Sequence, residues 1–140
     1  MMTDFENVSS YGIGSTSYLA AGEKAGLEKL ASAFYKIMDT NPIAKKIRDM
    51  HRDDLEYMTE RLALFLCAWL GGPKDWFTVY NYPALPTLHL EFVINTQEKE
   101  AWLMCMDKAI ELQNWDKEFK IYLKTQFRRP AEVIQRISKS

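Results

Sequence analysis

The sequence predicts an all-α fold. Three observations predict it. Apolar residues recur at spacings of three and four through four long stretches of the chain, the period of a helix with one buried face. Capping and breaking residues bound each stretch. The only strand-like run, residues 88–94, has no second run to pair with, and a lone strand is not stable.

The elements follow in order. Residues 1–17 are polar and rich in Gly and Ser, so they read as a loose leader, with one domain from 18 to 140. The first helix is expected over about 21–39, where Leu27, Leu30, Phe34, Ile37 and Met38 share a face. Asn41-Pro42 ends it, because the residue before proline avoids the helical region. Ile43, Ile47 and Met50 predict a short helical passage next. A second long helix opens near Asp53, where carboxylates suit the positive end of the helix dipole. Leu55, Met58, Leu62, Phe65, Leu66 and Trp69 form its apolar stripe, and Gly71-Gly72-Pro73 stops it.

Pro73, Pro83 and Pro86 break any long helix over 73–94, which reads as a loop with a short helical turn. A third helix opens at Asn95 or Thr96, with Asn95 and Glu98 at the spacing of a capping box. It buries Trp102, Cys105, Met106, Ala109 and Leu112. The last helix starts near Asp116 and turns Trp115, Phe119, Tyr122 and Leu123 inward. Pro130 is expected to kink it or to split off a terminal piece carrying Val133, Ile134 and Ile137.

Composition narrows the function. At 140 residues the chain has the size of one domain, and 47% apolar content excludes a disordered chain. A formal net charge of −1 gives no field to draw it to nucleic acid or to an anionic membrane. The local basic group Arg128, Arg129, Arg136 and Lys139 reads as a solvated helix face. Cys67 and Cys105 both fall in apolar helical patterns, so buried free thiols are expected. No run of about 18 apolar residues predicts a membrane span. The first residues lack the basic and apolar regions of a signal peptide, so a cytoplasmic protein is expected.

Gly-rich phosphate loops, paired-cysteine zinc spacings and the His-Glu-x-x-His pattern do not occur. The two histidines, His51 and His89, cannot fill a metal site by themselves. One histidine suffices for a haem iron, because the porphyrin supplies four further ligands. On the residues alone, His89 between Leu88 and Leu90 reads first as a hydrogen-bonded core histidine rather than a ligand, and His51 as a surface or capping one. Tyr35 and Trp102 read as core rings, although a buried O–H or indole N–H must donate to something.

Five segments then occur in order: Phe34-Tyr35, Met50-His51-x-x-Asp54-Leu55, Trp69-Leu70-Gly71-Gly72-Pro73, His89-x-x-Phe92-x-Ile94 and Ala101-Trp102-Leu103-x-Cys105-Met106. Together they resemble the group II truncated haemoglobins, over about residues 18–112. The resemblance implies a truncated globin-like two-over-two helical sandwich around haem b. It implies His89 as the proximal ligand to the iron, with Leu88, Trp76 and Phe92 also at the cofactor. Tyr35, Trp102 and His51 are implied as distal donors to a bound ligand, and Phe34, Met58 and Leu62 as the lining of the distal pocket. The ligands implied are O2, CO, NO and other small molecules, with a separate reductase as partner and a monomer or homodimer as the assembly. Several strong donors slow ligand release, which fits redox, nitric oxide or peroxide chemistry, or sensing, better than bulk oxygen transport. No residue demands peroxidase-like or NO-dioxygenase-like turnover.

The chain departs from the family at the haem edge. Leu88 stands where an arginine commonly precedes the proximal histidine, and Trp76 where a tyrosine commonly reaches the propionates. Glu91 replaces a common proline, and Glu23 the second glycine of an early Gly-Gly pair. Two readings follow: a haem protein with altered propionate anchoring, and a globin-like interaction module that binds haem weakly or not at all.

Overall fold

Capping chemistry fixes where the helices begin and end. The computed structural model describes residues 11–50, 54–78 and 96–137. In chain order they form α1 (Thr16–Ala20), α2 (Glu23–Thr40), a 3-10 turn (Pro42–Ala44), α3 (Lys45–Met50), α4 (Leu55–Trp69), α5 (Asp75–Thr78), α6 (Thr96–Glu111) and α7 (Lys117–Ile137). No strand occurs among the described residues. The expected loop over 79–94 and the expected cap at Asn95 lie outside them.

The long apolar stripes become the core. On α2, Leu27, Leu30, Phe34 and Met38 are each at most 1% exposed. Asn41 ends this helix in extended backbone, and its side-chain oxygen accepts from the Ile43 amide at 3.0 Å. Ile47 of α3 is buried, but Ile43 is 72% exposed and does not share its inward face. The 3-10 turn rotates Ile43 out of the helical register assumed from its spacing. The cap of α4 is Asp54, whose carboxylate accepts from the Tyr57 amide at 2.9 Å. Asp53 lies outside the described residues.

Helix α4 ends in two paired reverse bonds. The Gly72 amide donates to the Cys67 carbonyl at 2.8 Å, and the Gly71 amide to Ala68 at 3.4 Å. Gly71 takes φ +92°, where a side chain would be strained, and a Cβ there would collide with the Gly14 carbonyl. A Cβ on Gly72 would enter the Tyr18 ring. The two glycines therefore receive the N-terminal segment, and the Tyr18 amide closes the contact on the Leu70 carbonyl at 3.1 Å.

That contact shortens the expected leader. The two ends of 11–17 are anchored while 12–16 stay exposed: Tyr11 lies 5.1 Å from both Phe119 and Tyr122, and buried Ser17 accepts from the Gly12 amide at 2.8 Å. Polar composition hid this, because one tyrosine and one hydroxyl anchor the segment. Residues 1–10 lie outside the described part.

Helix α2 packs against both α4 and α6, and α6 packs against α7. One apolar cluster joins residues of these four helices, and Cys67 and Cys105 are buried free thiols within it. Leu112, expected inside, is 70% exposed, because α6 ends at Glu111. Helix α7 runs on through Pro130 rather than splitting there. Phe119, Leu123 and Phe127 hold its inner face in the core, while Trp115 and Tyr122 are half-buried.

Glu23 opens α2 at φ +62°, a left-handed conformation that a non-glycine residue pays for by roughly 1–2 kcal/mol. Glycine there forfeits ~0.5–1 kcal/mol in chain entropy. Glu23→Gly is expected to stabilise the protein slightly, read as a rise of a few degrees in thermal midpoint by circular dichroism. A clear fall would show that the carboxylate at the helix N-terminus matters more than the backbone strain.

Candidate functional site

Three helices carry five of the six predicted distal residues into one apolar cluster. Phe34 and Tyr35 are adjacent on α2, which puts them on neighbouring faces of one turn. Their rings meet edge to face at 5.0 Å. Trp102 approaches from α6, with its ring centroid 5.4 Å from Phe34. Met58 and Leu62 of α4 are spaced by one turn and belong to the same apolar cluster. Phe34, Tyr35, Met58 and Leu62 are buried, and Trp102 is half-buried.

Burial pushes the Tyr35 phenol well above its ordinary range, and the nearby Arg61 cation pulls it down by less. Tyr35 is therefore a neutral phenol at physiological pH, with an O–H to donate. The Trp102 indole can only donate. Burial also pushes the Cys105 thiol up to about 11, so it stays a thiol and acts as packing.

Trp76 sits in short α5 at 1% exposure, against Leu64 and Ala68 of α4, and meets Phe65 edge-on at 5.6 Å. The Arg61 guanidinium lies 5.9 Å from the Trp76 ring and 5.4 Å from Tyr57. Trp76 thus serves as a wall and a cation platform, where a tyrosine would offer an O–H. His51, Leu88, His89 and Phe92 lie outside the described residues.

Two residues were missed from the sequence. Phe127 of α7 lies 5.8 Å from Trp102, so the indole stands against Phe34 and Phe127. Its signal was the spacing of four from inward Leu123. The other is Arg61, which follows Met58 by three residues on the same helix and neighbours Leu62.

The donor set fits a flat apolar cofactor carrying a small polar ligand. Apolar side chains from two helices border a neutral buried phenol, and an indole arrives from a third. An anionic or solvated ligand would meet a poor environment here.

Comparison with known proteins agrees. A family model described as bacterial-like globin matches residues 16–133. The Group 2 truncated hemoglobin YjbI of Bacillus subtilis is 31% identical over 106 residues, covering 76% of this chain and 77% of that protein. A solved cold-adapted truncated hemoglobin from the Antarctic marine bacterium Pseudoalteromonas haloplanktis superposes with a TM-score of 0.80 at 30% identity, over 89% of this chain and 98% of its own. The group II 2-on-2 hemoglobin of the plant pathogen Agrobacterium tumefaciens gives a TM-score of 0.78 at 28% identity, over 85% and 92%. The chain belongs to the bacterial-like globins and, among them, to the group 2 truncated haemoglobins with the 2-on-2 fold. It is accordingly a globin-type haem protein, of a class that binds small diatomic ligands such as O2. No helix among the described residues is long and apolar enough to cross a membrane.

The state of Tyr35 has a pH consequence. Its folded value lies above the ordinary 10.0, so the unfolded chain ionises first. The stability concerned is complete below pH 10 and is lost as the pH rises further. Tyr35→Phe is expected to flatten the fall in thermal midpoint above pH 10. Identical slopes in the two proteins would show that this phenol ionises as freely folded as unfolded.

Proposed function

We propose that this chain holds haem b through His89 and retains O2, CO or NO with Tyr35, Trp102 and His51, for redox, nitric oxide or peroxide chemistry or for sensing rather than bulk oxygen transport. The observation that carries this reading is the packing of Tyr35 and Trp102 on one ring, Phe34, at 5.0 and 5.4 Å. That arrangement gathers two donors of different helices at a buried apolar place. Haem, when bound, supplies an iron that takes up a diatomic ligand and changes oxidation state.

The chain's own residues do the rest. A neutral His89 imidazole nitrogen would hold the iron, and Leu88 and Phe92 would lend apolar contact to the cofactor. The Tyr35 O–H, kept protonated by burial, would donate to a polar ligand bound at the iron. The Trp102 N–H adds a second donor, and His51 a third. Phe34, Met58 and Leu62 keep the space dry, which strengthens each of these bonds. Leu88 and Trp76 are themselves uncharged, so apolar contact and the His89 bond would carry more of the cofactor's retention than in relatives with an arginine and a tyrosine at these positions. Cytoplasmic action, a separate reductase as electron source, and a monomer or homodimer complete the proposal.

One observation favours the second reading, an interaction module with weak or no haem. Trp76, expected at the cofactor, is fully engaged in its own apolar cluster with Leu64 and Ala68.

His89→Ala is expected to abolish specific ligation of the iron, seen as loss of the wild-type Soret and visible bands in the haem-reconstituted protein. An unchanged spectrum removes His89 from the assignment. Trp102→Phe keeps the ring contact and deletes the donor. At ~1.5–3 kcal/mol for such a bond, oxygen should dissociate roughly 10- to 100-fold faster by stopped flow. An unaltered rate would leave Trp102 as packing only.

A further inference from the structure

Aromatic rings run in contact from the candidate pocket to Trp76, and the Arg61 guanidinium bridges from there to an exposed tyrosine. Tyr35 meets Phe34 and Phe34 meets Trp102, with centroids 5.0 and 5.4 Å apart. Trp102 lies 5.8 Å from Phe127, which lies 4.8 Å from Trp69. Trp69 stacks on Phe65 at 6.2 Å, and Phe65 meets Trp76 edge-on at 5.6 Å. The Arg61 guanidinium, near Trp76, also lies 5.4 Å from the Tyr57 ring. The two ends differ: Tyr35 is 7% exposed and Tyr57 is 46% exposed.

The order of the rings is chemically pointed. Tryptophan and tyrosine lose an electron far more readily than phenylalanine. From Tyr35 to Trp76 the oxidisable rings are joined through phenylalanines, with each ring-to-ring step inside the range of direct aromatic contact. The last step, from Trp76 to Tyr57, crosses the Arg61 guanidinium that lies against both rings. Core filling alone needs volume, which leucine or phenylalanine supplies without an indole N–H to satisfy. Three tryptophans in one continuous path exceed that need.

We propose that this path is an electron relay, and that Tyr57 is an oxidation site for small phenolic or aromatic-amine donors. The proposal rests on the haem reading for its oxidant, a peroxide reduced at the pocket. The peroxide ROOH accepts two electrons and two protons, its O–O bond breaks, and ROH and water leave. The relay delivers the electrons one at a time. Tyr57 gives up one electron through the rings and its phenolic proton to water, and becomes a neutral phenoxyl radical. A donor D–H returns one electron and one proton and leaves as a radical. Two donors are oxidised for each peroxide reduced. Arg61 gives the path a direction. A fixed cation beside Trp76 disfavours positive charge resting on that indole, whereas oxidised Tyr57 has shed its proton and carries none.

Pulse radiolysis of the purified full chain tests the relay without relying on turnover. Azide radicals oxidise tryptophan first, and intramolecular transfer appears as first-order loss of the tryptophanyl absorbance with a matching rise of the tyrosyl band. Trp69→Phe keeps a ring in place but removes the stepping stone, and Tyr57→Phe removes the terminus. Each should slow or diminish that phase by about tenfold, a barrier change near 1.4 kcal/mol. In the haem-loaded wild type given hydrogen peroxide, spin-trap adducts located by mass spectrometry should fall on Tyr57, and in Trp69→Phe on Tyr35 and Trp102. Unchanged transfer in both variants, or wild-type adducts confined to Tyr35 and Trp102, overturns the relay. A chain that takes up no haem defeats the haem reading instead, and the radiolysis rates still decide whether the relay exists.

Discussion

The position of Phe34 is the constraint on which the rest of the site depends. Helix α2 is the shared wall of the fold, packed on one side by α4 and on another by α6. Phe34 is 1% exposed on this wall, and its ring touches both Tyr35 and, across to α6, Trp102. Truncating a buried phenylalanine costs ~3–5 kcal/mol, because the surroundings collapse only in part. Here the same loss would also release the two donors from each other. Stability and site geometry are therefore set by one side chain.

A second dependence runs through the end of α4. Gly71 and Gly72 end the helix and let the N-terminal segment lie against it, so Tyr18 docks where any Cβ would intrude. The same end of α4 carries Trp69, which stacks on Phe65, while Phe65 in turn meets Trp76. The two glycines thus fix both the outer wrapping of the chain and one stretch of the aromatic path. Most charge lies at the surface. Among the described residues the buried carboxylate is that of Glu98, which is 2% exposed and is met by Lys46 at 3.2 Å, tying α3 to the first turn of α6.

Much of this was legible in the sequence because helical periodicity and breakers act locally. Leu27, Leu30 and Phe34 announced α2, and Asn41-Pro42 and Gly71-Gly72-Pro73 announced where helices end. The distal set Tyr35 and Trp102 was legible only through resemblance, since isolated rings at helical spacing look like core. What stayed hidden depends on tertiary contact. The docking of 11–17 rests on Tyr11 and Ser17 finding partners on α7, which no local pattern reports. Ile43 and Leu112 were placed inside by spacing, yet a 3-10 turn and a helix end turn them outward. Arg61 carries no local signal, and only the folded chain shows it beside two rings. The proximal and haem-edge candidates His89, Leu88 and Phe92, with distal His51, lie outside the described residues and rest on the resemblance alone.

The measurement that tests the central claim most directly is a haem titration of the purified wild-type protein, followed by ultraviolet–visible spectra in the ferric, ferrous and CO-bound states. The account predicts a sharp Soret band that saturates at one haem per chain, with a CO spectrum typical of histidine-ligated ferrous iron. Uptake that never saturates, or a spectrum no different from free haem, would contradict it and would give first place to the interaction module, with Leu88 and Trp76 as the cause.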